Sequence, residues 1–255
     1  MAYKRIIPNF LLIDGEFYTS KKFKNHIYIG EPRNILSILH DKGVDELLLT
    51  PKGYTEFSNL HTDVMNILSL CNVPVSIQGG VETALQAKKL YESGVEKIFF
   101  HSEAFQNDPL YEQVAASYGK QAVGISLVIR KGILDRKYQF HSMRERGKIS
   151  SQSWHKLQRN LQKHQFIEII LNDLSSDGTY GGWAGHSFID QFANYAIIPA
   201  CGIKSYNEII NLLEVKNVVA VAASSLFSYS GKNEGVLINY PSRSKLRRVR
   251  TDDNL

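Results

Sequence analysis

Apolar residues follow two alternating patterns along this chain. Short runs with the alternation or continuous apolarity of buried strands occur at "KRIIPNFLL", "ELLLT", "VPVSIQ", "KIFF", "AVGISLVI", "EIILNDL", "AIIPAC" and "VVAVAA". Between most of them lie stretches with helical spacing, such as "VETALQAKKLYESG" and "SYNEIINLLEVKN". Eight strands alternating with helices over 255 residues predict an α/β fold, a (β/α)8 TIM barrel. Residues 1–241 are expected to form this single barrel, and 242–255 a basic, flexible tail.

The pattern also repeats internally. "GVETALQAKKLYESGVEKIFFHSEAF" from Gly80 aligns without gaps on "GIKSYNEIINLLEVKNVVAVAASSLF" from Gly202. Gly80 pairs with Gly202, Thr83 with Ser205, Ser102 with Ser224 and Phe105 with Phe227, at one offset (202 − 80 = 122). The same offset lays "ELLL" at Glu46 on "EIIL" at Glu168. An offset near half the chain length, kept across several strands, predicts a barrel of two related half-barrels.

Period two assigns the strand faces. Arg5, Glu46, Lys97 and Glu168 stand at strand starts, on the faces that carry Asn9, Thr50, His101 and Asn172 higher up. Two cations and two anions would ring the barrel's bottom opening. They would form either a salt-bridged plug or a gate over an axial path. Phe10, Phe99 and Phe100 are large enough to fill such a path.

At the opposite mouth each half supplies a glycine and then a hydroxyl: Gly79–Gly80 with Ser102, and Gly202 with Ser224–Ser225. Glycine lets backbone N–H groups approach an anion, and serine adds a donor. Two such sites would suit an elongated ligand with a phosphate at each end, and "SSDGT" would add Asp177, Gly178 and Thr179. Plain turn and cap roles remain the alternative for all of them. Ile203 beside Gly202 would crowd a phosphate. Strand one presents Leu11 at the mouth, and strand five presents Gly124, Ser126 and Val128, so neither supplies an acid or base. His101 and Asp173 are the nearest titratable groups. Trp183 would either cover a ligand or anchor a loop on the rim, and Trp154 would pack a helix.

Composition narrows the classes. The net charge of +5 is mild, and the basic stretch "SRSKLRRVR" has no interleaved aromatics, which argues against nucleic acid as a partner. Cys71 and Cys201 lack metal-ligand or disulfide spacing, so no metal or cofactor is expected. No apolar run approaches the roughly 20 residues that span a bilayer, and the opening residues lack a signal-peptide pattern. A cytoplasmic location without membrane partners is expected.

"KRIIPNFLLIDGEFY", "GVDELLL", "GVEKIFFHSEAF" and "SDGT" resemble the cyclase subunit of imidazole glycerol phosphate synthase, the HisF family, over nearly the whole chain. "SLFSYSGKNEGVLINYPSR" resembles the WbuZ-like paralogues of that subunit, which are associated with glycosyl amidation in surface-polysaccharide biosynthesis. The resemblance implies a HisH-like glutaminase partner at the bottom face. It implies an ammonia gate at Arg5, Glu46, Lys97 and Glu168, with Ser76 and Cys201 along the passage. It assigns phosphate contacts to Gly80, Ser102, Asp177, Gly178, Gly202, Ser224 and Ser225.

The departures sit at the mouth. The family's two catalytic aspartates fall on Leu11 and Val128, an expected glycine on Gln78, an aspartate on Pro51, and the second glycine after strand seven on Ile203. No catalytic residue is therefore assigned. The resulting expectation is a synthase-like subunit without cyclase activity, passing ammonia to a sugar amidotransferase that makes an amidino sugar. The alternatives are an active cyclase using His101 or Asp173, and a non-catalytic barrel that binds a phosphorylated small molecule.

Overall fold

A computed structural model describes residues 3–102, 110–132, 138–142, 147–163, 168–230 and 235–241. The expected tail, 242–255, lies outside the described residues. Eight strands close into a barrel: β1 (Arg5–Ile13), β2 (Leu47–Pro51), β3 (Val75–Gln78), β4 (Lys97–His101), β5 (Val123–Lys131), β6 (Glu168–Asp173), β7 (Ala196–Ala200) and β8 (Ala220–Ala223). Each pairs in parallel with the next, and β8 returns to β1 with Arg5 opposite Ala220. All eight predicted runs are strands of the TIM barrel.

Eight described helices accompany them: α1 (Pro32–Lys42), α2 (Phe57–Leu70), α3 (Ala84–Glu92), α4 (Leu110–Tyr118), α5 (Ser151–Lys163), α6 (His186–Ile189), α7 (Tyr206–Glu214) and α8 (Ser225–Ser228). Strand periodicity divides the apolar residues into two clusters. Ile6, Phe10, Leu12, Leu47, Leu49 and Phe100 belong to the outer cluster that packs under the helices. Ile7, Leu48, Phe99, Ile170, Ile198, Ala200, Ala220 and Ala222 form a separate inner cluster. Of the three phenylalanines weighed for the axial path, only Phe99 faces inward. Gly124 on β5 makes room for it, since a Cβ there would fall 2.4 Å from Phe99 Cδ1.

The half-barrel repeat is built into the geometry. α3 and α7 have matching limits at the 122-residue offset (84 + 122 = 206; 92 + 122 = 214). Thr83 caps the first by accepting from Gln86 N, and Ser205 caps the second by accepting from Glu208 N. The Gln86 side chain accepts from Glu82 N, and Glu208 accepts likewise from Lys204 N (82 + 122 = 204). Both preceding glycines have positive φ, +74° at Gly80 and +79° at Gly202.

One addition to the barrel was not read from the sequence. β1 continues into a ribbon, Glu16–Lys21 and Asn25–Gly30, that folds at the mouth. Its first turn is Asp14–Gly15, with φ of 48° and 77°. Positive φ at both positions suits the twist of a two-residue hairpin, and Asp-Gly is a strong signal for one.

Candidate functional site

The two ends of the barrel carry different chemistry. At the N-terminal ends of the strands, Arg5 Nη1 lies 2.7 Å from Glu46 Oε2, and Arg5 Nη2 lies 2.8 Å from Glu168 Oε1. Lys97 Nζ lies 2.7 Å from the other oxygen of Glu168, and Ser76 Oγ donates to Glu46 Oε1 at 2.6 Å. The four charged residues singled out in the sequence therefore form one connected chain, Ser76–Glu46–Arg5–Glu168–Lys97. Alternating sign is what lets these groups stay charged with little water: the Glu46 side chain is only 4% exposed.

The two carboxylates respond differently to this setting. Burial raises the Glu46 pKa, and Arg5 and Ser76 only partly oppose it. Burial also pushes upward at Glu168, but Lys97 and Arg5 together bring its pKa below the ordinary value. Burial works against the Arg5 cation, yet Glu168 and Glu46 outweigh it and raise its pKa. Above this ring lies the inner apolar cluster, and Lys97 Nζ sits 5.8 Å from the centroid of the Phe99 ring.

The other end opens as a small pocket. Asn9, Leu11, Thr50, Gln78, Asn172 and Cys201 contribute from the barrel, and Gly178, Gly202, Ser224 and Ser225 from the loops. Five of the seven predicted phosphate contacts come together here: Asp177, Gly178, Gly202, Ser224 and Ser225. Gly80 and Ser102 do not line it. Ile203 reaches the pocket wall yet is 4% exposed and belongs to the outer apolar cluster, so its side chain is largely accommodated by the core.

The loops here are tightly fitted. A Cβ on Gly202 would fall 2.3 Å from Ser176 Cβ, and one on Gly178 would fall 2.3 Å from the Ser20 carbonyl oxygen. The ribbon is pinned by Asp177: Oδ2 accepts from Ser20 Oγ at 2.7 Å and Phe23 N at 2.9 Å, and its backbone oxygen accepts from Lys22 N at 3.0 Å. Burial raises the Asp177 pKa despite these donors. Ser224 Oγ donates to Thr19 Oγ1 at 2.8 Å, and Thr19 Oγ1 lies 3.1 Å from Ser225 Oγ. The ribbon residues Ser20 and Thr19 are thus part of the mouth, although the sequence reading passed over them. The Asp14–Gly15 turn was the available signal.

The two substitute acids behave as follows. Asp173 is fully buried on the outward register of β6, beside inward Asn172. It accepts from Ser176 Oγ at 2.7 Å and from Ser175 N, Ser176 N and Ala184 N at 3.0–3.3 Å. These bonds make it the organiser of the following loop. His101 packs against Gly79, where a Cβ would fall 2.3 Å from its Nε2, and it does not line the mouth pocket. Trp183 is 2% exposed, with Nε1 donating to Leu171 O at 3.3 Å, so it is a rim anchor. Trp154 stacks on Phe140 at 4.1 Å between ring centroids.

Among the described residues no group of three His, Cys, Asp or Glu side chains stands within reach of a single metal ion. No described helix is long and apolar enough to cross a membrane.

Comparison with known proteins agrees with this architecture. The family of histidine biosynthesis proteins matches residues 5–233. A Pseudomonas aeruginosa protein named "Putative imidazole glycerol phosphate synthase subunit hisF2" is 32% identical over 96% of this chain and 99% of its own length. A Leptospira interrogans protein named "Putative imidazole glycerol phosphate synthase subunit HisF" is 30% identical over 95% of this chain and 97% of its own. The imidazole glycerol phosphate synthase subunit HisF of Aliivibrio salmonicida is 25% identical over 96% and 98%. With its closed barrel, half-barrel repeat and end-to-end match, the chain belongs to the histidine biosynthesis protein family, as a HisF-like synthase subunit homologue.

Proposed function

We propose that this chain is the synthase-type subunit of a glutamine amidotransferase that conducts ammonia without closing an imidazole ring. A HisH-like glutaminase would dock at the N-terminal face. The ring Arg5–Glu46–Glu168–Lys97 would gate entry, and a sugar amidotransferase would use the ammonia in amidino-sugar formation for a surface polysaccharide. The observation that carries the reading is the contrast between the ends. The charged ring is complete and internally paired, whereas Leu11 at the mouth and Val128, buried on β5, stand where the resemblance calls for proton-transferring aspartates. General acid and base groups typically contribute 10²–10⁴-fold each, and neither a leucine nor a valine side chain can move a proton.

The names of the relatives favour a second reading, an active cyclase. The full set of loop hydrogen bonds on Asp173 counts against its use as the substitute acid. A phosphorylated ligand at Gly178, Gly202, Ser224 and Ser225 is compatible with either. In this pocket it would meet N–H and hydroxyl donors, because no Lys or Arg is among the described residues that line it.

The test supplies [amide-¹⁵N]glutamine to the barrel, its glutaminase and the amidotransferase in excess unlabelled ammonium. The proposal expects product enriched in ¹⁵N beyond the bulk ratio. Full dilution of the label to the bulk ratio overturns the conduit.

A further inference from the structure

Gln78 stands where the resemblance calls for a glycine; it is among the residues that line the mouth pocket and is 3% exposed. Among the described residues its Oε1 has no hydrogen-bond partner. A neighbouring network fixes that oxygen's orientation. Asn172 Nδ2 lies 3.1 Å from the backbone oxygen of Leu127 and 3.1 Å from Ser126 Oγ. A backbone carbonyl only accepts, so the nitrogen of Asn172 must face it and Oδ1 must face the other way. Cys201 Sγ, 3.7 Å from that Oδ1, is a donor consistent with this assignment. Gln78 meets Asn172 Oδ1 through Nε2 at 3.5 Å. Turning the Gln78 amide over would set two carbonyl oxygens against each other. The buried atom without a partner among the described residues is therefore an acceptor.

Thr50 and Asn9, which line the same pocket, carry further acceptor oxygens. Thr50 Oγ1 commits its proton to Asn9 Oδ1 at 3.0 Å, leaving oxygen lone pairs on both. Among the described residues that line the pocket, the sole formally charged side chain is Asp177. A buried carbonyl without a partner destabilises the fold, a cost that a donor arriving from outside the protein would remove.

We propose that Gln78 Oε1 is a docking point for an N–H donor at the inner end of the mouth. Two sources share this chemistry: ammonia rising from the apolar layer, or the N–H of a small molecule bound from above. The choice of N–H over O–H rests on the reading of the chain as an ammonia-conducting subunit. Under that reading Gln78 holds the nitrogen donor in place at the point where the barrel opens.

The test follows the side-chain amide ¹⁵N–¹H signal of Gln78 in the full chain, assigned by its disappearance in Gln78→Glu. At mildly alkaline pH, ammonium chloride is titrated against potassium chloride. In a second arm, N-acetylglucosamine 1-phosphate is titrated against glucose 1-phosphate. A saturable shift with ammonium chloride alone supports ammonia as the donor. A shift with the N-acetyl sugar but not with glucose 1-phosphate supports an N–H brought by a bound molecule. Silence in both arms, or equal response to the two sugars, overturns the proposal.

Gln78→Leu, checked for folding by thermal unfolding, is expected to weaken the supported ligand roughly fivefold to tenfold, while Gln78→Glu retains an acceptor and binding. Unchanged affinity in Gln78→Leu also overturns it, and if that variant does not fold the titrations of the unaltered chain decide. The measurement uses the chain alone. Its failure is therefore distinct from failure of the conduit, which shows as dilution of the glutamine label.

Discussion

Glu168 and Glu46 have the same side chain and share Arg5, yet glutamine should not be equally tolerated at the two positions. Among the described residues, Glu168→Gln removes the only carboxylate within salt-bridge distance of Lys97 and one of the two on Arg5, at 2.7 and 2.8 Å. Removing one partner of a buried ion pair typically costs about 3–5 kcal/mol. The Arg5 and Glu168 side chains keep 21% and 19% exposure, which places the expected loss near the lower end, about 3 kcal/mol. For a domain of this size that corresponds to a fall in Tm of roughly 6–12 °C. Glu46→Gln should cost about 1 kcal/mol or less, because burial already disfavours that carboxylate and an amide oxygen still accepts from Ser76.

The pH dependence runs in opposite directions for the two. Glu168 has a depressed folded-state pKa, so its stabilisation is present above the unfolded value near 4.5 and is lost as pH falls through the folded value. The gap between Glu168→Gln and the unaltered chain should therefore close in acid. Glu46 has a raised folded-state pKa, so its contribution is greatest below the unfolded value and declines as pH rises through the folded one. Denaturant unfolding of both variants at pH 7 and in acid checks this. A Glu46→Gln loss equal to or larger than that of Glu168→Gln at pH 7 would refute the reasoning.

Asp177→Ala should release the mouth ribbon, with faster amide exchange at Lys22 and Phe23 and little change in the barrel strands, readable by hydrogen-exchange mass spectrometry. Gly202→Ala puts a Cβ on a residue at φ +79° and against Ser176, and should cost at least about 1–2 kcal/mol in thermal unfolding. A cyclase-deficient histidine auxotroph supplied with this chain is expected not to grow without histidine, given Leu11 and Val128; growth would favour the cyclase reading.

The strand pattern made the barrel legible because period two and alternation with helices are local properties of the chain. The repeat was legible for a different reason: Thr83 and Ser205 cap α3 and α7, whose limits fall at the same offset. The charged ring could be placed on one end because Arg5, Lys97 and Glu168 begin strands and Glu46 precedes one. Which oxygen pairs with which cation depends on barrel closure, which period two does not specify.

The mouth was less legible. Asp177 reads as a ligand contact in sequence, whereas in three dimensions its carboxylate is engaged by Ser20 and Phe23 from a distant segment. Asp173 and Asn172 are adjacent in sequence but face opposite ways, which removed the first from the barrel interior. The unpaired oxygen of Gln78 depends on the Asn172 network, a long-range contact with no local signature.

Glutamine hydrolysis by the proposed HisH-like glutaminase, measured alone, with this chain and with its Arg5→Ala variant, tests the central claim most directly. The account predicts stimulation by the unaltered chain that weakens or uncouples in Arg5→Ala. Absence of binding and of stimulation would contradict it, and the charged ring would then stand as a salt-bridged plug.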